Sequence, residues 1–192
     1  MERIRPGESM PRFDFLNEND VVSFEIVPEA LEHLPIISAE DKLSGKERFR
    51  ILLGSASILD ASHAHLKISG VLEMEQGDDY LYGLYTEGIE QVTYDPQKIR
   101  SYVQSIQRLP QYRSFNHLGE IHTHPKSLLA YPSQVDLEGF VSQYEHSTAE
   151  PHKPYIFGIA GIHKSGEVEC NFYRIVRVGK GYGFKLLDGD ER

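Results

Sequence analysis

Apolar positions along the chain fall into short alternating runs more often than into helical stripes. Val21 to Ile26 reads as a strand, and Phe49, Ile51 and Leu53 alternate as strand residues do. A further strand is expected around His65 to Met74, and another from Tyr80 to Thr86 after the turn Gln76-Gly77-Asp78-Asp79. Phe115 to Thr123 is the next. Tyr155 to Ile162 and Val168 to Val176 make a hairpin across His163-Lys164-Ser165-Gly166, and the glycine-rich turn Gly179 to Gly183 leads into a short terminal strand.

Three stretches carry helical spacing instead. Pro28 opens one with Ala30, Leu31, Leu34 and Ile37 on one side. Asp95-Pro96 starts a second, in which Ile99, Tyr102, Val103 and Ile106 follow at i, i+3, i+4 and i+7 before Leu109-Pro110 ends it. Ser133 begins a third, striped by Leu137, Phe140, Val141 and Tyr144. Asp41 to Lys46 reads as a charged loop, and residues 1–20 as a polar lead-in to one domain over residues 21–192. Strands outnumber helices and the last two strands pair antiparallel, so the expected class is α+β, a mixed sheet flanked by a few helices.

Composition narrows the setting. Of 192 residues, 40% are hydrophobic and 26% charged, the balance of a compact soluble fold rather than a disordered chain or a membrane protein. Apolar runs such as Ile51-Leu52-Leu53 fall far short of the ~20 residues a bilayer span needs. Cys170 is the single cysteine, which removes Cys-rich zinc modules and two-cysteine redox motifs. The net charge of −9 disfavours nucleic acid and anionic membrane as partners. Met1 to Pro11 lacks the apolar core of a signal peptide, so a cytoplasmic setting is expected.

Most of the nine histidines need no special account: His33, His117, His146, His152 and His163 stand alone in polar or amphipathic surroundings. Gly119-Glu120-Ile121-His122-Thr123-His124-Pro125 is different. Residues i and i+2 of a strand share a face, so His122 and His124 can present two imidazoles to one point. Pro125 stops the strand there. Ser133 and Asp136 follow at the start of a helix, where Ser caps and Asp meets the positive end of the dipole. Asp136 can add a carboxylate oxygen to the two nitrogens, and three such donors with an open fourth position make a catalytic rather than a structural zinc site. A second pair, His63-Ala64-His65, has no acidic residue in a following helix start and reads as structural or surface.

Other His-x-His chemistries do not fit. Metallo-β-lactamase-like sites continue with Asp and His where Pro125 to Ser127 stand, and amidohydrolase barrels need a longer chain. Polymerase-and-histidinol-phosphatase-type sites need many more His and Asp ligands. The remaining pattern, Glu47 at the head of Arg48-Phe49-Arg50-Ile51-Leu52-Leu53-Gly54, then His122-Thr123-His124-Pro125, then Ser133 and Asp136, resembles the JAMM (Jab/MPN) zinc metalloproteases. These isopeptidases cut ubiquitin and ubiquitin-like proteins from their conjugates.

That resemblance implies a three-layer Jab/MPN, cytidine-deaminase-like arrangement around a curved mixed sheet. It implies one Zn²⁺ on His122, His124 and Asp136, with Glu47 as general base and Ser133 as donor to the oxyanion. The implied substrate is the C-terminus of a ubiquitin-like or small sulfur-carrier-like protein, cut at an amide or isopeptide bond. Glu120, two residues before His122, is the alternative base. Other readings are a non-catalytic MPN scaffold subunit and a RadC-like branch member. Two departures stand out: eight residues separate His124 from Ser133 where the family usually has seven, and Arg50 replaces a common Gly.

Overall fold

A computed structural model of the chain describes residues 15–35, 37–45, 47–73, 96–125, 130–147 and 154–187. Seven strands form one sheet: β1 (Val21–Ile26), β2 (Phe49–Ile58), β3 (His63–Glu73), β4 (Asn116–Thr123), β5 (Ile156–Ile162), β6 (Val168–Val178) and β7 (Gly181–Leu186). Their order is β1-β3-β2-β4-β5-β6-β7, with β1/β3 and β4/β5 parallel and the other pairs antiparallel. The helices are α1 (Pro28–Leu31), α2 (Ala39–Ser44), α3 (Pro96–Ile106) and α4 (Gln134–Ser147), with a 3₁₀ turn at Pro110–Tyr112.

The sheet curls on itself. Phe24 of β1 and Phe172 of β6 are separated by four strands in the sheet order, yet their ring centroids lie 4.8 Å apart. Two irregularities help it bend. Opposite β3, β2 shifts register between Leu53 and Gly54; opposite β4, it shifts between Leu52 and Leu53, so that Leu118 is the extra residue of β4. The concave side is filled by Phe24, Leu52, Leu66, Ile68, Leu118 and Phe172, all buried.

The convex side carries the two longer helices. Ile99, Val103 and Ile106 of α3 pack on Phe49, Ile51 and Leu53, the alternating residues of β2. Phe140 of α4 stacks on Phe157 of β5 with centroids 4.1 Å apart and meets Phe184 of β7 edge-on at 5.7 Å. Helices of substance therefore lie on one side only.

This overturns the expected three-layer α+β arrangement of the Jab/MPN kind. The molecule is mainly a curled, seven-stranded, mixed half-barrel with few helices. The physical reason is that the concave face is closed by the sheet's own far strands, by the four-residue α1 and by residues 15–20, and among the described residues no second helical layer covers it. Two local expectations also change. The helix opened by Pro28 ends at Leu31, because Pro35 disfavours helical geometry at Leu34, and Leu31 stays half exposed. Asp41 to Lys46 is not a loop throughout: Ala39–Ser44 is helical, with Ser38 and Asp41 capping each other and Gly45 ending the helix at φ 72°. The expected turn at 76–79 and strand at 80–86 lie outside the described residues, as does Asp95.

Within the stretch read as lead-in, Phe15 and Leu16 are buried. Arg174 of β6, 2% exposed, donates hydrogen bonds to the carbonyls of Phe15, Asn17, Glu18 and Asp20 and so binds this segment to the sheet. Among the described residues no helix is long and apolar enough to cross a membrane.

Close approach between β4 and β5 depends on Gly119. A Cβ there would lie 2.0 Å from the Ile156 carbonyl oxygen, a backbone atom that cannot swing aside. Gly119→Ala is expected to lower stability by about 3 kcal/mol, the upper range for an overpacked core, read as a lower urea midpoint in equilibrium unfolding.

Candidate metal centre

The end of β4 follows from its neighbours. Phe49 of β2 pairs with His122, and beyond it Arg48 and Thr123 bond each other: Thr123 N–H donates to the Arg48 carbonyl at 3.0 Å. On the other side β4 runs parallel to β5, and His124 N–H donates to the Ala160 carbonyl at 2.8 Å. With the backbone held from both sides, His122 and His124 project to the convex face beneath α4. Both are buried, and the His122 ring lies 5.5 Å from that of Phe140.

Asp136 arrives from the first turn of α4, as its sequence position predicts. Ser133 and Asp136 cap each other: Ser133 N–H donates to Asp136 Oδ2 at 2.5 Å and Asp136 N–H donates to Ser133 Oγ at 3.2 Å. The carboxylate then faces both imidazoles, with Oδ1 3.1 Å from His122 Nε2 and Oδ2 3.4 Å from His124 Nε2. The two Nε2 atoms are 3.0 Å apart.

These distances suit a cation. Two imidazole nitrogens facing each other at 3.0 Å can share at most one proton, and both also face a carboxylate. Donor atoms around a tetrahedral zinc with bonds of ~2.0–2.1 Å sit about 3.3 Å from one another, close to each of these three distances. Among the described residues it is the one group of His, Cys, Asp or Glu side chains able to hold a metal ion. Burial pushes the Asp136 carboxyl up, but hydrogen bonds and charge from His122, with those from His124 and Ser133, outweigh it and hold the group well below the usual carboxylate range. The second nitrogen of His122, Nδ1, is buried and has no hydrogen-bond partner among the described residues.

Ser133 is exposed at the N-terminus of α4, joined to the site through Asp136. Glu47 is half-buried, one residue before Arg48. Extending the Phe49-to-His122 register by two residues sets Glu47 opposite His124, on the same face of the sheet. Arg50, the departure from the family pattern, points to the other face, where its guanidinium donates to the His33 carbonyl. Residues 126–129 of the longer loop before Ser133 lie outside the described residues.

Glu120 shares the His122 face but is engaged deeper in the fold. Its Oε2 accepts from Gln143 Nε2 at 3.2 Å and from the Tyr155 hydroxyl at 3.4 Å, and Tyr155 also meets His117 Nε2 at 2.9 Å. His117 thus belongs to a hydrogen-bonded group. The second His-x-His pair is taken up locally: His63 Nδ1 meets Asp60 at 2.8 Å and His65 Nδ1 meets Ser23 Oγ at 2.9 Å.

Sequence reasoning missed the surroundings of Arg48. Its guanidinium forms a two-pronged ion pair with Asp41, at 2.9 Å from Nε and 3.0 Å from Nη2, and its N–H donates to Thr123 Oγ1 at 2.8 Å. The Ser38-x-x-Asp41 cap followed by Gly45 was the available signal.

No protein-family model and no curated protein matches this sequence. Among solved structures the chain is similar to the solution structure of protein DSY2949 from Desulfitobacterium hafniense. The two are 16% identical over 90% of this chain and 94% of that one, with a TM-score of 0.50. At this identity the likeness concerns the fold alone.

Two measurements probe the site's electrostatics. Losing a residue that merely supports a metal ligand typically costs ~10–100-fold in affinity, so Asp136→Asn is expected to weaken zinc binding by ~100-fold or more in a chelator competition. Loss of water around His117 lowers its pKa from 6.5 to about 4, against a smaller opposing effect of its hydrogen bond to the Gly119 backbone. The unfolded chain therefore binds a proton that the native state refuses, and stability falls as pH drops from 6.5 to about 4. In His117→Gln that part of the decline is expected to vanish from urea midpoints measured across the range.

Proposed function

We propose that this chain is a metal-dependent hydrolase that uses zinc to cut amide or isopeptide bonds. The observation that carries this reading is the convergence of His122, His124 and Asp136 within 3.0–3.4 Å. The motif they share with Glu47 and Ser133 resembles that of the JAMM metalloproteases, although the layered fold of that family is not adopted. The substrate class this suggests is the C-terminal tail of a ubiquitin-like or small sulfur-carrier-like protein, in the cytoplasm.

Zinc held by His122, His124 and Asp136 would supply a bound water with its pKa lowered towards ~7 and a Lewis acid for the scissile carbonyl. The chain's own groups do the rest. Glu47 accepts the proton of the attacking water and returns it to the leaving amine. Ser133 Oγ already accepts the Asp136 N–H, which leaves its own hydrogen to donate to the carbonyl oxygen as negative charge develops there. His122 and Asp136, 2% and 14% exposed as side chains, keep bulk water from one side of the site, and this strengthens each of these interactions. Glu120 is a poorer base, because Gln143 and Tyr155 already occupy its Oε2.

The test is a panel of ubiquitin-like fusions and isopeptide conjugates, incubated with the zinc-loaded chain with and without a chelator. Chelator-sensitive cleavage is expected. Glu47→Gln should retain one zinc per chain yet turn over at least ~10²-fold slower, and Ser133→Ala should lose ~10²-fold or more while keeping the metal. Inertness towards every substrate despite bound zinc would remove the isopeptidase reading and favour a scaffold.

A further inference from the structure

Catalysis by Glu47 needs that carboxylate held still beside His124, yet Glu47 precedes the first residue of β2. The backbone beside it is anchored at the next residue. Arg48 is gripped at three points: its carbonyl by Thr123 N–H at 3.0 Å, its N–H by Thr123 Oγ1 at 2.8 Å, and its guanidinium by Asp41 at 2.9 and 3.0 Å. Thr123 is fully buried and stands between the two histidines in the chain. Its hydroxyl takes the Arg48 N–H that a main-chain carbonyl would take in a regular ladder. Asp41 is 1% exposed and is itself fastened, accepting Ser38 N–H at 3.0 Å and Ser38 Oγ–H at 2.7 Å. The grip thus runs from the cap of α2 through Arg48 to the strand that carries the metal donors.

We infer that Thr123 and the Asp41–Arg48 pair are positioning residues that hold Glu47 against the metal triad, and that Arg48 is a clamp rather than a cation for substrate. The inference rests on the reading of Glu47 as the base. Asp41 is suited to the role. Burial raises its pKa, but hydrogen bonds from Arg48 and Ser38 prevail and keep it ionised. A two-pronged guanidinium–carboxylate pair also fixes direction as well as distance, which a lysine ammonium would not do.

Cobalt(II) is the probe. The full-length chain and its variants are loaded with cobalt, and the visible spectrum is followed against pH, with Glu47→Gln as the reference for a displaced base. Thr123→Val and Asp41→Asn are expected to bind one cobalt per chain and to move the spectral midpoint in the same direction as Glu47→Gln. Thr123→Ser, which restores the hydroxyl, should rescue the midpoint lost in Thr123→Val. A loss of packing alone would leave the midpoint where it is. In parallel, amide hydrogen exchange over residues 45–50 needs no metal: both disruptive variants should raise it ~10-fold or more, and Thr123→Ser should not.

Wild-type midpoints in Thr123→Val and Asp41→Asn, beside a displaced midpoint in Glu47→Gln, would overturn the positioning role and leave the hydrolase reading intact. An undisplaced midpoint in Glu47→Gln would overturn Glu47 as base and the inference with it. Unchanged exchange over 45–50 in both variants would overturn the clamp whatever cobalt does. If Asp41→Asn does not fold, Arg48→Lys, which cannot form the two-pronged pair, takes its place with the same expected midpoint and exchange changes.

Discussion

Everything at the candidate metal centre depends on β4 being hydrogen-bonded along both edges. It runs antiparallel to β2 and parallel to β5, so its backbone cannot rotate or slide without breaking two ladders together. A one-residue slip would turn both histidines into the concave core. The extra residue at Leu118 lies upstream of them and resets the alternation before the site begins, so His117 and Glu120 both look to the convex side while Leu118 looks inward. Gly119 permits the tight contact with β5 that keeps this arrangement flush.

The hydrogen bonds that place the three side chains are thus those of the fold itself. One strand, held from both sides, delivers the two imidazoles and a helix cap delivers the carboxylate. Two imidazole nitrogens and the two oxygens of one carboxylate face each other at 3.0–3.4 Å, an arrangement that a positive charge among them would favour.

How much of this was legible in the sequence depended on the range of the interactions. The histidine pair and the Ser133–Asp136 cap join residues two and three positions apart and could be read at sight. The stripe of α3 was equally plain, and Ile99, Val103 and Ile106 are buried as it required. The Thr123–Arg48 bond was not, since it joins a side chain to a main-chain N–H across 75 residues and leaves no compositional trace. The stretch Asp41 to Lys46, read as a charged loop, hid most of a short helix, because its charges were read before its cap. The layering was misjudged for a different reason. Curl comes from bulges and register shifts, which alter strand direction while leaving the hydrophobic alternation almost as it was.

One feature away from the site bears on how this chain tolerates change. Arg174 grips residues 15–20 by their carbonyl oxygens, and every amino acid offers a carbonyl. The fastening is therefore indifferent to which side chains occupy most of that segment. Mutational drift at the exposed Asn17, Glu18 and Asn19 erodes little so long as the guanidinium remains, whereas replacing the one arginine strands four acceptors in a single step.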